Sequence, residues 1–241
     1  LFRVGDFYET FGDDAIVASK VLGIVLTKRA NGSAQHVELA GFPHHSIDTY
    51  LPKLVRAGYK VAVCDQLEDP KLTKKIVRRG VTELVTPGVV YNEQLLPQKE
   101  NNFLASVCFE KDRGGIAFLD ISTGAFRVAE GSMNYIEFLL ENMAPKEILV
   151  EKGYAKGFRE KFHTDAYIST LDEWAFVYET SYEKLKKHFA LDSLKGFGVE
   201  GMNLSLTAAG AILYYLENNQ QAFCEYFPNR GLSHLCSISR I

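Results

Sequence analysis

The chain has 241 residues, 46% of them hydrophobic and 24% charged, with a formal net charge of −3. It is long enough for two small domains, too apolar for a disordered tail, and too nearly neutral to hold nucleic acid by bulk charge alone. No apolar run approaches the ~20 residues that span a bilayer. Leu1-Phe2-Arg3-Val4-Gly5-Asp6 has neither the basic leader nor the small-residue cleavage site of a signal peptide, so a cytoplasmic protein with no membrane partner is expected. Opening without Met on a strand-like run, the chain reads as a trimmed piece of a longer protein. Cys64, Cys108, Cys224 and Cys236 stand far apart with no C-x-x-C, the pattern of buried, reduced thiols. The charge is uneven. Residues 1–100 hold 13 Lys/Arg and 12 Asp/Glu (+1), and residues 101–241 hold 14 and 18 (−4), which permits a DNA partner for the first half without demanding one.

In chain order, Leu1–Glu9 is extended and partly alternating, and Phe11–Leu22 carries Phe11, Ala15, Ala18 and Leu22 at helical spacing. Ile24–Thr27 and Val37–Ala40 flank the turn-rich Arg29-Ala30-Asn31-Gly32-Ser33, a hairpin signal. A helix capped by Ser46 is expected to run to Ala57, with Gly58 ending it and Pro52 kinking it or marking a late start. Lys60–Cys64 and Glu83–Val85 read as strands, Pro87-Gly88 as a turn, and Gln94–Asn102 as a linker. Three closely spaced apolar strands follow: Phe103–Glu110, Gly115–Ser122 and Ala125–Glu130. Their short breaks predict an antiparallel meander. Helix and strand then alternate over Met133–Met143, Glu147–Val150, Ala155–Phe162, Ala166–Ile168 and Leu171–His188, before a long helix at Ser205–Phe223. The whole reads as an α/β protein: an α+β mixed-sheet domain over 1–100, then a helix-covered mixed sheet of ribonuclease-H-like type over 101–241.

No enzyme motif is present: no G-x-x-x-x-G-K-[ST], no G-x-S-x-G, no H-E-x-x-H. His44-His45 is a tempting metal pair, but neighbours on a helix point roughly 100° apart and no Cys or carboxylate stands at ligand spacing, which favours a surface or cap role. Asp120 is the one carboxylate on an expected central strand. A metal-dependent nuclease would need two or three carboxylate partners for it, and only Asp165 offers itself, so a structural role is favoured. In Gly5-Asp6-Phe7-Tyr8-Glu9-Thr10-Phe11, Phe7 and Glu9 share one face of an extended backbone. A large ring beside a carboxylate makes a poor core, because the charge is costly to bury. Two readings stand: Phe7 in the core with Glu9 capping the next helix, or a protruding ring-plus-acid probe. Lys28 and Arg29 fit phosphate contacts or a solvated loop equally well, and the charge run Lys71–Arg79 fits a solvated surface better than a contact.

Gly5-Asp6-Phe7-Tyr8-Glu9 resembles the Phe-x-Glu motif of the MutS family of mismatch-repair proteins. So do, in family order, Leu26-Thr27-Lys28-Arg29, Ala40-Gly41-Phe42-Pro43-His44-His45, Val61-Ala62-Val63-Cys64-Asp65-Gln66-Leu67-Glu68-Asp69-Pro70 and Val85-Thr86-Pro87-Gly88-Val89. Leu119-Asp120-Ile121-Ser122-Thr123-Gly124 and Gly196-Phe197-Gly198-Val199-Glu200 are similar to that family's connector domain. The resemblance implies a mismatch-recognition domain (1–100) and a ribonuclease-H-like connector (101–241). Mismatched double-stranded DNA, MutL and a second copy of the intact protein are the implied partners. ATP and magnesium would belong to an ATPase domain beyond Ile241, so no catalytic residue and no cofactor is expected in this chain.

By the same resemblance, Phe7 stacks on a mispaired base from the minor groove, Glu9 hydrogen-bonds the displaced base, and Lys28 and Arg29 are DNA contacts. Opening a base step costs a few kcal/mol, less where pairing is already broken, and stacking on a ring returns roughly 1–3 kcal/mol whichever base is met. The acid is repelled by a polyanion, so it penalises sound duplex, and it is expected to take up a proton on entering the groove. Two other classes stay open: a pure protein-interaction module, and a ribonuclease-H-like nuclease needing metal.

Overall fold

The computed structural model describes residues 1–31, 35–68, 77–89, 102–121, 123–224 and 238–241. They form two compact units, Leu1–Pro87 and Gly88–Asn219 with the C-terminal strand. The linker expected at Gln94–Asn102 lies outside the described residues except for Asn102, which is buried.

The first unit is a six-stranded mixed sheet in the order β3-β4-β2-β1-β5-β6. Its strands are β1 (Phe2–Val4), β2 (Phe7–Phe11), β3 (Leu26–Asn31), β4 (Gln35–Pro43), β5 (Val61–Gln66) and β6 (Arg79–Val85). Only β1 and β5 run parallel; the other neighbours are antiparallel. Helix α1 (Asp13–Leu22) packs on β2, β3 and β4, and α2 (Ile47–Arg56) on β5. Tyr8, Thr10, Ala40, Phe42, Val61 and Val63 mark the covered face. The expected hairpin is present, with longer arms: Arg29, Ala30 and Asn31 belong to β3, not to its turn. Phe11 ends β2, so α1 starts later, after Gly12 in a left-handed conformation (φ 58°). Ser46 precedes α2 but makes no side-chain capping bond, a 3-10 turn at His44–Ser46 leads in, and Pro52 is accommodated within the helix.

The second unit is another mixed sheet, in the order β11-β10-β7-β8-β9-β12. The meander is as expected: β7 (Phe103–Glu110), β8 (Arg113–Asp120) and β9 (Ala125–Ser132) pair antiparallel. β10 (Glu147–Glu151) lies parallel to both β7 and β11 (Tyr167–Leu171), and β12 (Ile238–Arg240) adds a parallel edge on β9. Both faces are covered. Leu104, Leu119, Phe126 and Leu149 pack with Leu185 of α5 (Tyr178–Phe189) and with Leu206, Ile212 and Leu213 of α6 (Asn203–Cys224). Phe103, Ala105, Ile116, Phe118 and Ile148 pack with Ile136 and Leu139 of α3 (Met133–Met143) and with Phe158 of α4 (Phe158–Lys161). A strand buried on both sides loses polar alternation, and hence Phe103 to Val107 are all buried. A three-strand meander extended by parallel strands, with helices on both faces, is the ribonuclease-H-like arrangement the sequence suggested.

The start of α6 is held from the sheet. Glu130 Oε2 accepts the backbone N–H groups of Leu204 (2.9 Å) and Ser205 (3.4 Å), while its Oε1 meets Arg113 at 3.1 Å. A carboxylate there satisfies N–H groups that lack partners within the helix and complements its dipole. The approach is close: a Cβ on Gly115 would run into the backbone of Leu204 and Ser205. Glu130→Ala is expected to lower stability by about 1–2 kcal/mol, read as an earlier urea midpoint at unchanged slope. A midpoint equal to that of the parent chain would refute this role.

Candidate nucleic-acid interface

The run Leu1–Glu9 is not one strand but a hairpin. Val4 pairs with Phe7 and Phe2 with Glu9, leaving Gly5-Asp6 as a two-residue loop. Gly5 has φ 57°, which the first position of such a loop favours and side chains resist. Three donors fix both carbonyls of the loop and one of the strand that leads into it. Arg3 Nε donates to Gly5 O (2.6 Å), Arg79 Nε to Arg3 O (2.9 Å), and the His44 backbone N–H to Asp6 O (2.8 Å). The segment presenting Phe7 is therefore tied to β6 and to the lead-in of α2.

Period-two alternation sends Tyr8 and Thr10 under the helices and Phe7, Glu9 and Phe11 to the opposite face. Phe7 is 47% exposed, as is Phe2 on the same face, while Tyr8 is only 5% exposed. Phe7 is not in the core, which excludes the reading that buried it: the ring protrudes from the face opposite the helices. Tyr8 secures the strand from behind: its hydroxyl donates to Asp65 Oδ2 at 2.8 Å across to β5. Burial, and then the Asp65 carboxylate, push its phenol up to about 12. Because the folded value lies above the ordinary value of 10, the protonated phenol stabilises the fold below pH ~10, and that stability is lost as pH rises through about 12. Tyr8→Phe is expected to cost roughly 1–2 kcal/mol at neutral pH and to flatten the alkaline decline in melting temperature. An unchanged alkaline profile would sink the assignment.

The four residues singled out in the sequence are only partly brought together. Phe7, Glu9 and Arg29 share the open face, and Arg29 Nη1 lies 3.4 Å from Glu9 Oε2. Lys28, one residue earlier on β3, points to the other face, with Nζ 4.0 Å from the Glu38 carboxylate opposite it. Glu9 is thus not a free probe: its side chain is 16% exposed and folded toward Arg29. The space it occupies comes from Gly41, its cross-strand partner, where a Cβ would stand 3.3 Å from Glu9 Cγ and 2.8 Å from the Tyr8 carbonyl oxygen. Gly41 and the loop anchors Arg79 and His44 were not visible as site residues from sequence, because each acts through strand pairing or a backbone carbonyl.

The competing candidates have plain structural roles. His44 and His45 meet edge to face at 5.8 Å in the 3-10 turn, and His44 Nδ1 faces Asp6 O at 3.2 Å. Asp120 is buried at the end of β8, and among the described residues no three His, Cys, Asp or Glu side chains come together as metal ligands would. Cys64 and Cys108 are free thiols. Burial, followed by Glu151, Glu110 and Glu130, pushes the Cys108 thiol up to about 12, so it is a poor nucleophile. The side chains of Cys224 and Cys236, and Lys71 to Ile76 of the charge run, lie outside the described residues. No helix of the described chain is long and apolar enough to cross a membrane.

Residues 1–94 match the family model for MutS domain I, and residues 102–230 that for MutS domain II. Over all 241 residues the chain is 57% identical to the DNA mismatch repair protein MutS of Parabacteroides distasonis and to that of Porphyromonas gingivalis, and 56% identical to that of Flavobacterium johnsoniae. It spans 26–27% of the length of these relatives. With two successive domain models matched along nearly its whole length, the chain belongs to the MutS family, of which it carries domains I and II.

Proposed function

We propose that this chain is the mismatch-reading end of a DNA mismatch-repair protein, with residues 1–100 as its mismatch-recognition domain and 101–241 as a ribonuclease-H-like connector. The observation that carries the proposal is Phe7: a large ring, 47% exposed, at the mouth of a clamped hairpin, with a carboxylate on the same face. Such a ring can enter the minor groove as a wedge where a pair is already weakened. It discriminates by deformability, not by base identity. Glu9 hydrogen-bonds the displaced base, and the ion pair with Arg29 keeps its charge compensated until then. Arg29, on the edge strand β3, exchanges that partner for a backbone phosphate and sets register. Lys28 is a second phosphate contact from the opposite face of the same edge.

In this proposal the intact protein works as a dimer. Its ATPase, using ATP and magnesium, lies outside this chain, and the connector relays the nucleotide state and contacts MutL. The cellular setting is the cytoplasm, at the nucleoid. The test is binding of mismatched and fully paired duplexes by the intact protein with and without Phe7→Ala, at stated salt concentration. Loss of the preference for mismatched DNA, with paired-duplex affinity retained, is expected. A retained preference would overturn the proposal.

A further inference from the structure

The second unit has a pit of about 260 Å³ on the face covered by α3 and α4. Its floor is aromatic. Phe109 stacks on Phe162 (5.5 Å, 8°) and meets Tyr154 edge to face at 5.8 Å, and Tyr154 stands 49% exposed at the rim. Lys111, Lys156 and Lys161 line the same pit. They come from the β7–β8 turn, the segment after β10, and α4. Lys111 is held in a left-handed conformation (φ 52°), and Lys161 Nζ lies 5.5 Å over the Phe162 ring.

The lysines of this pit stand outside the ion pairs found among the described residues of the unit. Elsewhere in the unit Arg113, Lys152, Lys184, Lys186 and Lys195 are ion-paired with Glu130, Asp172, Glu217, Glu183 and Glu200. Among the described residues none of the three pit lysines has such a partner. No acidic side chain lines the pit; Glu110, Glu130 and Glu151 influence Cys108, which packs against the opposite core, and Glu151 Oε1 comes closest, 3.3 Å from where a Cβ on the pit residue Gly153 would stand. Three free cations round an apolar depression are unexpected over residues 101–241, whose net charge is −4.

We propose that this pit docks an acidic peptide segment of a partner protein, which seats one large apolar side chain in the depression against the exposed ring of Tyr154 while its carboxylates meet Lys111, Lys156 and Lys161. The pit falls below the ~300–1,000 Å³ typical of small-molecule sites, and suits a single anchoring side chain of the kind that dominates interface energetics. A nucleic-acid strand fits less well. Base stacking needs free ring faces in succession, whereas the faces of Phe109, Phe158 and Phe162 are spent on one another.

The test uses the 241-residue chain and a fluorescein-labelled pentapeptide of four acidic residues around a central tryptophan, followed by anisotropy. Saturable binding is expected, weakening as salt rises. Affinity should fall roughly tenfold or more when the tryptophan is replaced by alanine, with Tyr154→Ala, and with Lys111→Glu combined with Lys161→Glu. These side chains are on the surface, so an unchanged melting temperature is expected and separates lost docking from lost folding. No saturable binding, equal binding by the variants, or equal binding of a basic counterpart of the peptide would overturn the proposal. So would a labelled oligothymidylate that binds in place of the peptide and is lost in the same variants.

Discussion

Glu147→Ala is expected to lower the stability of the second unit by about 3–5 kcal/mol, the largest effect of any single substitution considered. Glu147 is fully buried at the start of β10 and holds three donors. Its Oε2 accepts the Gly88 backbone N–H at 3.0 Å, and its Oε1 accepts the hydroxyls of Ser169 and Tyr215, each at 2.6 Å. One side chain thus ties together the first residues of the unit, β11 and α6. Truncation leaves the Gly88 N–H without its acceptor and opens a cavity, and each buried unsatisfied group costs about 1–3 kcal/mol. The two hydroxyls, 3.5 Å apart, can turn toward each other, which keeps the total below the sum of three orphans. Glu147→Gln retains one acceptor oxygen and should cost about half as much. Gly88 offers an independent check, because a Cβ there would stand 2.7 Å from Glu147 Cβ; Gly88→Ala should destabilise through the same contact. Urea unfolding decides it: a loss below about 1 kcal/mol for Glu147→Ala would mean that the network is not holding these elements.

The network also marks the limit of what the sequence could disclose. Glu147 was legible as a strand residue, but its partners stand at positions 88, 169 and 215, and no local pattern joins them. What was legible followed local periodicity and turn chemistry. The meander, α3 and α6 appear where apolar runs and Gly-containing breaks required them. Departures have local physical causes. Gly5 in the left-handed region folds Leu1–Glu9 into a hairpin. Gly157 (φ 80°) confines the helix expected at Ala155–Phe162 to α4. The 3-10 turn Glu173–Phe176 and extended Val177 delay α5 to Tyr178, and β12 is too short to show any alternation. The same division applies to the candidate site. Phe7 and Glu9 share a face by alternation alone, which needs no knowledge of partners. That Arg29 and not Lys28 joins them depends on the register of β3 on β4 and of β4 on β2, a pairing across three strands.

Phe7→Ala and Glu9→Gln are expected to reduce discrimination by opposite routes, and measuring both tests the proposed mechanism more sharply than either alone. The ring contributes only where a base can be unstacked. Its removal should therefore weaken binding to mismatched duplex by the stacking term of roughly 1–3 kcal/mol, about five- to 150-fold, and leave paired duplex nearly untouched. The acid's charge is a penalty only where no base has been displaced to hydrogen-bond it. A carboxylate brought against the groove costs about 1–2 kcal/mol, between the Coulomb figures for bulk water and for a protein surface at contact distance. Glu9→Gln should accordingly tighten binding to paired duplex roughly five- to thirtyfold with little gain at a mismatch. Phe7 is exposed and Glu9 lies on the same open face, so neither change should move the melting temperature by much. Arg29→Ala separates the two parts assigned to that side chain. If Arg29 both shields Glu9 and reaches a phosphate, its loss should weaken all duplexes and lower the salt slope by about one phosphate contact, and the loss should be smaller in the Glu9→Gln background, where no charge remains to shield. Equal losses in the two backgrounds would show that the ion pair seen between Arg29 and Glu9 has no part in reading DNA.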